Sequence, residues 1–126
     1  MAHEEKDLLL KDLSARLPYG VIGEYSWKGR VPYNRELTGN LYDELNSSWN
    51  STEDSKFIPY LRPMSSMTEE EEIEYDATFA TIKLADGHYD STMTYKSFDF
   101  LNEHHFDYRG LIEKGLALEA PNGMYN

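Results

Sequence analysis

The sequence predicts an α+β fold, a small antiparallel sheet packed against two or three amphipathic helices. Three observations lead there. Apolar residues recur at helical spacing in two separated stretches, residues 5–17 and 92–104. Between them lie β-branched and aromatic segments bounded by Gly, Pro and Asp-Gly, which are strand and turn signals. Helices and strands alternate without a βαβ rhythm, so a parallel wound sheet is not expected.

In chain order, Leu9, Leu10, Leu13 and Leu17 form one stripe, with Lys6, Asp7, Lys11, Asp12 and Arg16 mostly elsewhere around the wheel. Pro18 ends that helix. YGVIGEYSW followed by Lys28-Gly29 and RVPY reads as strand, turn, strand, with Pro32 consigning the second strand to a sheet edge. Residues 38–55 are dominated by turn formers around one short helical turn at Leu41–Leu45 and read as a long loop. KFIPYLRP is a short strand ended by Pro63. Thr68 and Glu71 make a capping box, so a helix starts there and passes to strand near Asp76–Thr78. Asp86-Gly87 marks a turn. The helix over 92–104 carries Tyr95, Phe98 and Leu101 on one face, and Leu9, Leu13, Phe98 and Leu101 are expected in the core. The glycine-punctuated tail is a packed loop with one short strand near Leu116–Leu118.

Length and composition narrow the class. The 126 residues are the size of one domain, 1–126, and 40% hydrophobic content suffices for a core without disulfides. Cysteine is absent, which excludes disulfides, thiolate metal sites and cysteine nucleophiles. The start, MAHEEKD, is acidic and the LLL run is too short for a signal core or a span, so the expected compartment is the cytoplasm. On that expectation the sequons at Asn46 and Asn50 are loop chemistry. The net charge of −11 repels nucleic acid and anionic membrane in general, so neither is an expected partner.

Two constellations merit a chemical reading. The strip Tyr25, Trp27, Lys28, Arg30, Tyr33, Arg35 is the cationic stretch of an acidic chain. Across a hairpin, alternate residues share a face, so Trp27 and Tyr33 would present rings while Arg30 and Arg35 present forks to phosphate. Ring stacking plus arginine suits a small anionic nucleotide. The competing reading is a solvated hairpin with snorkelling side chains. His105, Tyr108 and Arg109 form the second candidate. Adjacent His104 and His105 diverge by about 100° on a helix, so no metal site is expected there; a histidine bonded to a carboxylate or carbonyl is the plainer account. No GxSxG, HExxH, Walker A or GxGxxG signature occurs, and Ser65 and Ser66 have no evident base. The expectation is a protein that is not an enzyme and needs no cofactor.

Three strings stand out together: LLLKDLSARLPYGV, YLRPMSSMTEEE and FDFLNEHHFDYRGLIEKGLALEAP, falling within residues 8–21, 60–72 and 98–121. They resemble a family of small proteins encoded by phages and integrated mobile elements of gut Bacteroidales bacteria. That family carries no assigned activity, so the resemblance transfers no site residues, and residues 22–59 lie outside it. It implies a setting: an accessory protein made inside an infected bacterial cell. Expected with it is a binding protein that modulates or blocks a host system through contact with a host protein. The alternative is sequestration of a small nucleotide by the strip at 25–35.

Overall fold

In a computed structural model the chain is described over residues 3–51 and 55–125, with backbone alone for 47–51 and 55. The fold is α+β. Helix α1 (His3–Arg16) runs into a 3₁₀ turn, Leu17–Tyr19, where Pro18 stops the α-helix. Strands β1 (Ile22–Trp27) and β2 (Tyr33–Glu36) form the expected antiparallel hairpin, in register Tyr25↔Tyr33 and Gly23↔Arg35. After helix α2 (Gly39–Ser51) comes β3 (Ser55–Leu61), antiparallel to β1 and parallel to the two-residue β6 (Leu118–Glu119). The sheet order is β2-β1-β3-β6, which puts β2, the strand after Pro32, on the edge as anticipated.

Residues 39–51, expected within a long loop over 38–55, form a helix, and residues 52–54 lie outside the described residues. Leu41 and Leu45, one helical turn apart, are fully buried and lay one face of α2 against the core, with Leu37 just before the helix nearly as buried. The Thr38 hydroxyl accepts from the Leu41 N–H at 3.1 Å and starts the helix. Turn-forming composition lost to tertiary burial. Asn46 and Asn50 therefore lie in a helix, while Thr52, which completes the second sequon, is outside the described residues.

The main core joins Leu9, Leu10 and Leu13 of α1, Leu41 and Leu45 of α2, Tyr25, Phe57 and Leu61 of the sheet, and Leu111 and Leu116 of the tail. Gly23 lies on the same sheet face as Tyr25. A Cβ there would meet the Phe57 ring at 2.3 Å and the Ile58 carbonyl at 2.8 Å, so the position requires glycine. Asp12 and Arg16, read from the wheel as outward, are both fully buried and pair at 2.8 Å. Arg16 also donates to the Phe106 carbonyl at 2.6 Å, which gives the buried guanidinium its place.

A second cluster holds Phe100, Leu101 and Phe106, with Met67, Tyr75, Met93 and Tyr108 around it. Tyr75 comes from α3 (Glu69–Asp76) and Phe100 and Leu101 from α4 (Tyr95–Glu103), while the hairpin β4 (Ala80–Lys83) and β5 (Tyr89–Thr92) between them is exposed along both strands. The Thr68 capping box is formed, with Glu71 N–H to Thr68 Oγ1 at 3.2 Å and Thr68 N–H to Glu71 Oε1 at 3.0 Å. Asp86-Gly87 turns between β4 and β5, the Asp86 carboxylate accepting from His88 N–H at 3.0 Å.

Helix α4 starts at Tyr95 and presents a different face from the one anticipated. Phe98 is 44% exposed and Tyr95 73%, whereas Ser97, Phe100 and Leu101 are buried. Ser97 faces inward because its hydroxyl accepts from Thr94 N–H at 3.0 Å and from the Thr78 hydroxyl at 2.7 Å. Those bonds fix the rotation of α4 and leave Phe98 outside, its ring edge on Tyr108. Among the described residues no helix is long and apolar enough to cross a membrane.

Candidate functional site

The hairpin register gathers most of the cationic strip. Tyr25, Trp27, Tyr33 and Arg35 project from one sheet face by two-residue alternation, and Arg30 joins them from the turn. These five residues line an open hollow of about 450 Å³. Lys28, the sixth member of the strip, does not line it. Tyr25 is its floor: the hydroxyl donates to Glu44 of α2 at 3.2 Å, and burial and that carboxylate raise its pKa. Tyr33 meets Tyr25 edge to face at 5.8 Å, and the Arg35 guanidinium lies 5.6 Å above the Tyr25 ring. Trp27 and Tyr33 stay 43% and 54% exposed, with faces available for stacking.

The commitments of the five arginines differ. Arg16 and Arg109 share the Asp12 carboxylate, and Arg62 is held by Glu71. No carboxylate among the described residues pairs with Arg30 or Arg35, so both guanidinium groups retain their donors for an incoming anion.

The second candidate does not form one site. Arg109 is bound to Asp12 at 3.1 Å and lies 5.0 Å over the Tyr108 ring, while the Tyr108 hydroxyl donates to Asn102 at 2.9 Å. His105 instead stacks on Tyr125 with ring centroids 3.8 Å apart, and its buried Nδ1 has no hydrogen-bond partner among the described residues. It is not helical: its φ of 61° puts it at the left-handed position after α4. The Phe106 N–H bonds to the Leu101 carbonyl and the His105 N–H to the Asn102 carbonyl, which is a Schellman ending with histidine in the usual glycine place. Burial and neighbouring Arg16 push the His105 pKa down to about 4, so it is neutral at pH 7. Among the described residues no cluster of three metal-ligating groups occurs.

The sequence reading missed a second hollow. Arg62 is fixed by backbone bonds to both flanks of the tail, its N–H to the His105 carbonyl and its carbonyl from the Asp107 N–H, each 2.8 Å. Its guanidinium packs 4.2 Å over Phe106 and clasps both oxygens of Glu71 at 2.7 Å. That fork, with the capping N–H of Thr68, holds the Glu71 pKa down to about 2. His104 approaches the same carboxylate at 3.5 Å. Across from them the tail supplies Glu119, Pro121, Asn122 and Tyr125, enclosing a polar cleft of about 430 Å³. The Tyr125 hydroxyl accepts from Ile22 N–H at 2.8 Å and donates to the Tyr60 carbonyl at 2.7 Å, tying the tail to the sheet. Burial raises its pKa to about 12. Only the capping box announced any of this in sequence; His104, His105, Asp107, Glu119 and Tyr125 lie more than thirty positions further on.

The chain matches no protein-family model, no curated protein and no solved structure.

Proposed function

We propose that the protein acts by binding, without catalysis, and that its principal partner is a host protein presenting a basic surface. The observation that carries this reading is the distribution of exposed side chains. Of ten large apolar residues exposed among those described, six (Ile73, Ile82, Leu84, Tyr89, Tyr95 and Phe98) fall on α3, the β4–β5 hairpin and α4. The same stretch, residues 69–99, holds nine carboxylates against two lysines. Apolar and aromatic groups within a strongly acidic field suit a partner that combines positive charge with apolar anchors. The three strings resembling phage and mobile-element proteins supply the setting, an accessory protein that blocks or modulates a host system in the bacterial cytoplasm. Capture from a Bacteroidales lysate tests this, comparing wild type with a Glu69→Lys/Glu72→Lys/Asp76→Lys variant. A specific partner lost on charge reversal, and weakened about tenfold or more between low and high salt, is expected. A partner retained by the variant and indifferent to salt overturns the reading.

The hollow at Tyr25, Trp27, Arg30, Tyr33 and Arg35 favours a second reading, a site for a small anionic nucleotide. Two uncommitted arginines and two exposed rings offer phosphate forks and a stacking platform without demanding a particular base. Calorimetric titration of a nucleotide panel against wild type and Arg30→Ala/Arg35→Ala decides it. Binding abolished by the double substitution supports the site. Binding that survives it, or no binding by wild type, rules it out.

A further inference from the structure

We infer that the polar cleft between α3 and the tail is a receptor for a cationic side chain, an arginine or lysine head group. This rests on the reading of a basic protein partner and names the group that partner inserts.

The cleft cannot serve an anion well. Its only arginine, Arg62, has both terminal nitrogens on Glu71, one of them also on the Ser66 carbonyl at 3.3 Å, and its flat face on Phe106, so its charge is already matched inside the protein. What remains open is a set of acceptors. Glu119 is exposed on β6 and no ion pair among the described residues engages it. Asn122 offers an amide oxygen, and the second nitrogen of the His104 ring accepts when the ring is neutral. Glu71 remains ionised throughout the ordinary pH range, so its charge persists even though Arg62 neutralises most of it.

Shape agrees with charge. At about 430 Å³ the cleft admits a side chain and several waters, and the Pro121 ring and the Tyr125 edge give an alkyl stem apolar walls. Arginine seated in a pocket is among the side chains that carry most of the energy of a protein interface. The first residues of α3, Thr68 onward, connect the cleft directly to the acidic segment proposed for the partner.

The test uses the full chain, labelled with ¹⁵N, and N-acetyl-arginine methylamide as the probe. Blocked citrulline serves as the uncharged isostere, and inorganic phosphate as the anion. The expected result is saturable shifts centred on His104, Glu119 and Asn122 with arginine, and none from citrulline or phosphate. Glu119→Gln, an isosteric change at an exposed position, should weaken the probe about fivefold or more by removing the charge. Asn122→Ala, on the exposed tail, should weaken it less. Shifts spread evenly over the acidic surface and unchanged by Glu119→Gln would overturn the inference, as would a preference for phosphate. The partner reading is separable. Loss of lysate capture on reversing Glu69, Glu72 and Asp76 with an unresponsive cleft condemns the cleft alone, and a responsive cleft without a captured partner condemns the partner.

Discussion

His105 occupies a left-handed position where most helices place glycine, at a conformational cost of about 1 kcal/mol. Its ring offsets that cost by stacking on Tyr125 under the tail. Because burial holds its folded pKa near 4, against 6.5 when free, the unfolded chain binds the extra proton first as pH falls. The stability contributed by keeping His105 neutral is therefore complete above pH 6.5 and is lost progressively towards pH 4. Glu71, held down to about 2 from 4.5, follows in a lower window, its contribution full above pH 4.5 and lost towards pH 2. Urea midpoints measured from pH 7.5 to 3 should fall in two limbs. His105→Asn, which tolerates the left-handed backbone, should flatten the limb between pH 6.5 and 4.5. An unchanged slope in that variant would refute the assignment. Asp12 offers a second test at this scale. Asp12→Ala leaves Arg16 buried without its counter-charge and also frees Arg109, and should cost about 3–5 kcal/mol by denaturant titration.

At the scale of elements, geometry separates substitutions that look alike. Gly23→Ala adds one methyl group, yet drives it into the Phe57 ring and the β3 backbone, and a loss of about 2 kcal/mol or more is expected. Thr68→Ala removes the N-cap oxygen of α3 and should cost about 1 kcal/mol, since Arg62 still orients Glu71. On α4, Leu101→Ala should cost about 2–5 kcal/mol, and Phe98→Ala much less, because Leu101 is fully buried and Phe98 is 44% exposed. Equal losses at the two sites would contradict the observed helix rotation. The same helix shows where periodicity misled. The spacing puts Tyr95, Phe98 and Leu101 on one face, but the Ser97 hydroxyl, accepting two hydrogen bonds, is the group that turns inward, and Phe98 is displaced with the turn of the helix.

Over the whole molecule, charge is distributed unevenly, and residues 69–99 hold most of the excess negative charge. Self-repulsion among the carboxylates of α3 opposes folding and is screened by salt. Thermal midpoints should accordingly rise by a few degrees between about 20 and 200 mM NaCl at pH 7.5. A fall would mean that attractive exposed pairs outweigh the repulsion. The two hollows divide along the same electrostatic lines. The strip on β1 and β2 retains arginines without carboxylate partners, while the tail cleft retains carboxylate and amide acceptors.

Local signals were strong enough to be read directly. Pro18 ending α1, the Trp27–Tyr33 hairpin, the edge position after Pro32, the Thr68 capping box and the Asp86-Gly87 turn each depend on residues a few positions apart, so their physics is contained in a short string. The alternation that gathers Tyr25, Trp27, Tyr33 and Arg35 is of the same kind. Tertiary structure decided the rest, because there the energy comes from partners remote in sequence. Burial against the sheet made a helix of a segment composed of turn formers. Asp12 and Arg16 turned inward because Phe106 and Arg109, ninety or more positions away, supply them with hydrogen-bond partners. The tail cleft exists only because His105 and Asp107 fix Arg62 and Ala120 is bonded to Leu61 while Tyr125 reaches back to Ile22, contacts that no periodicity in the chain encodes.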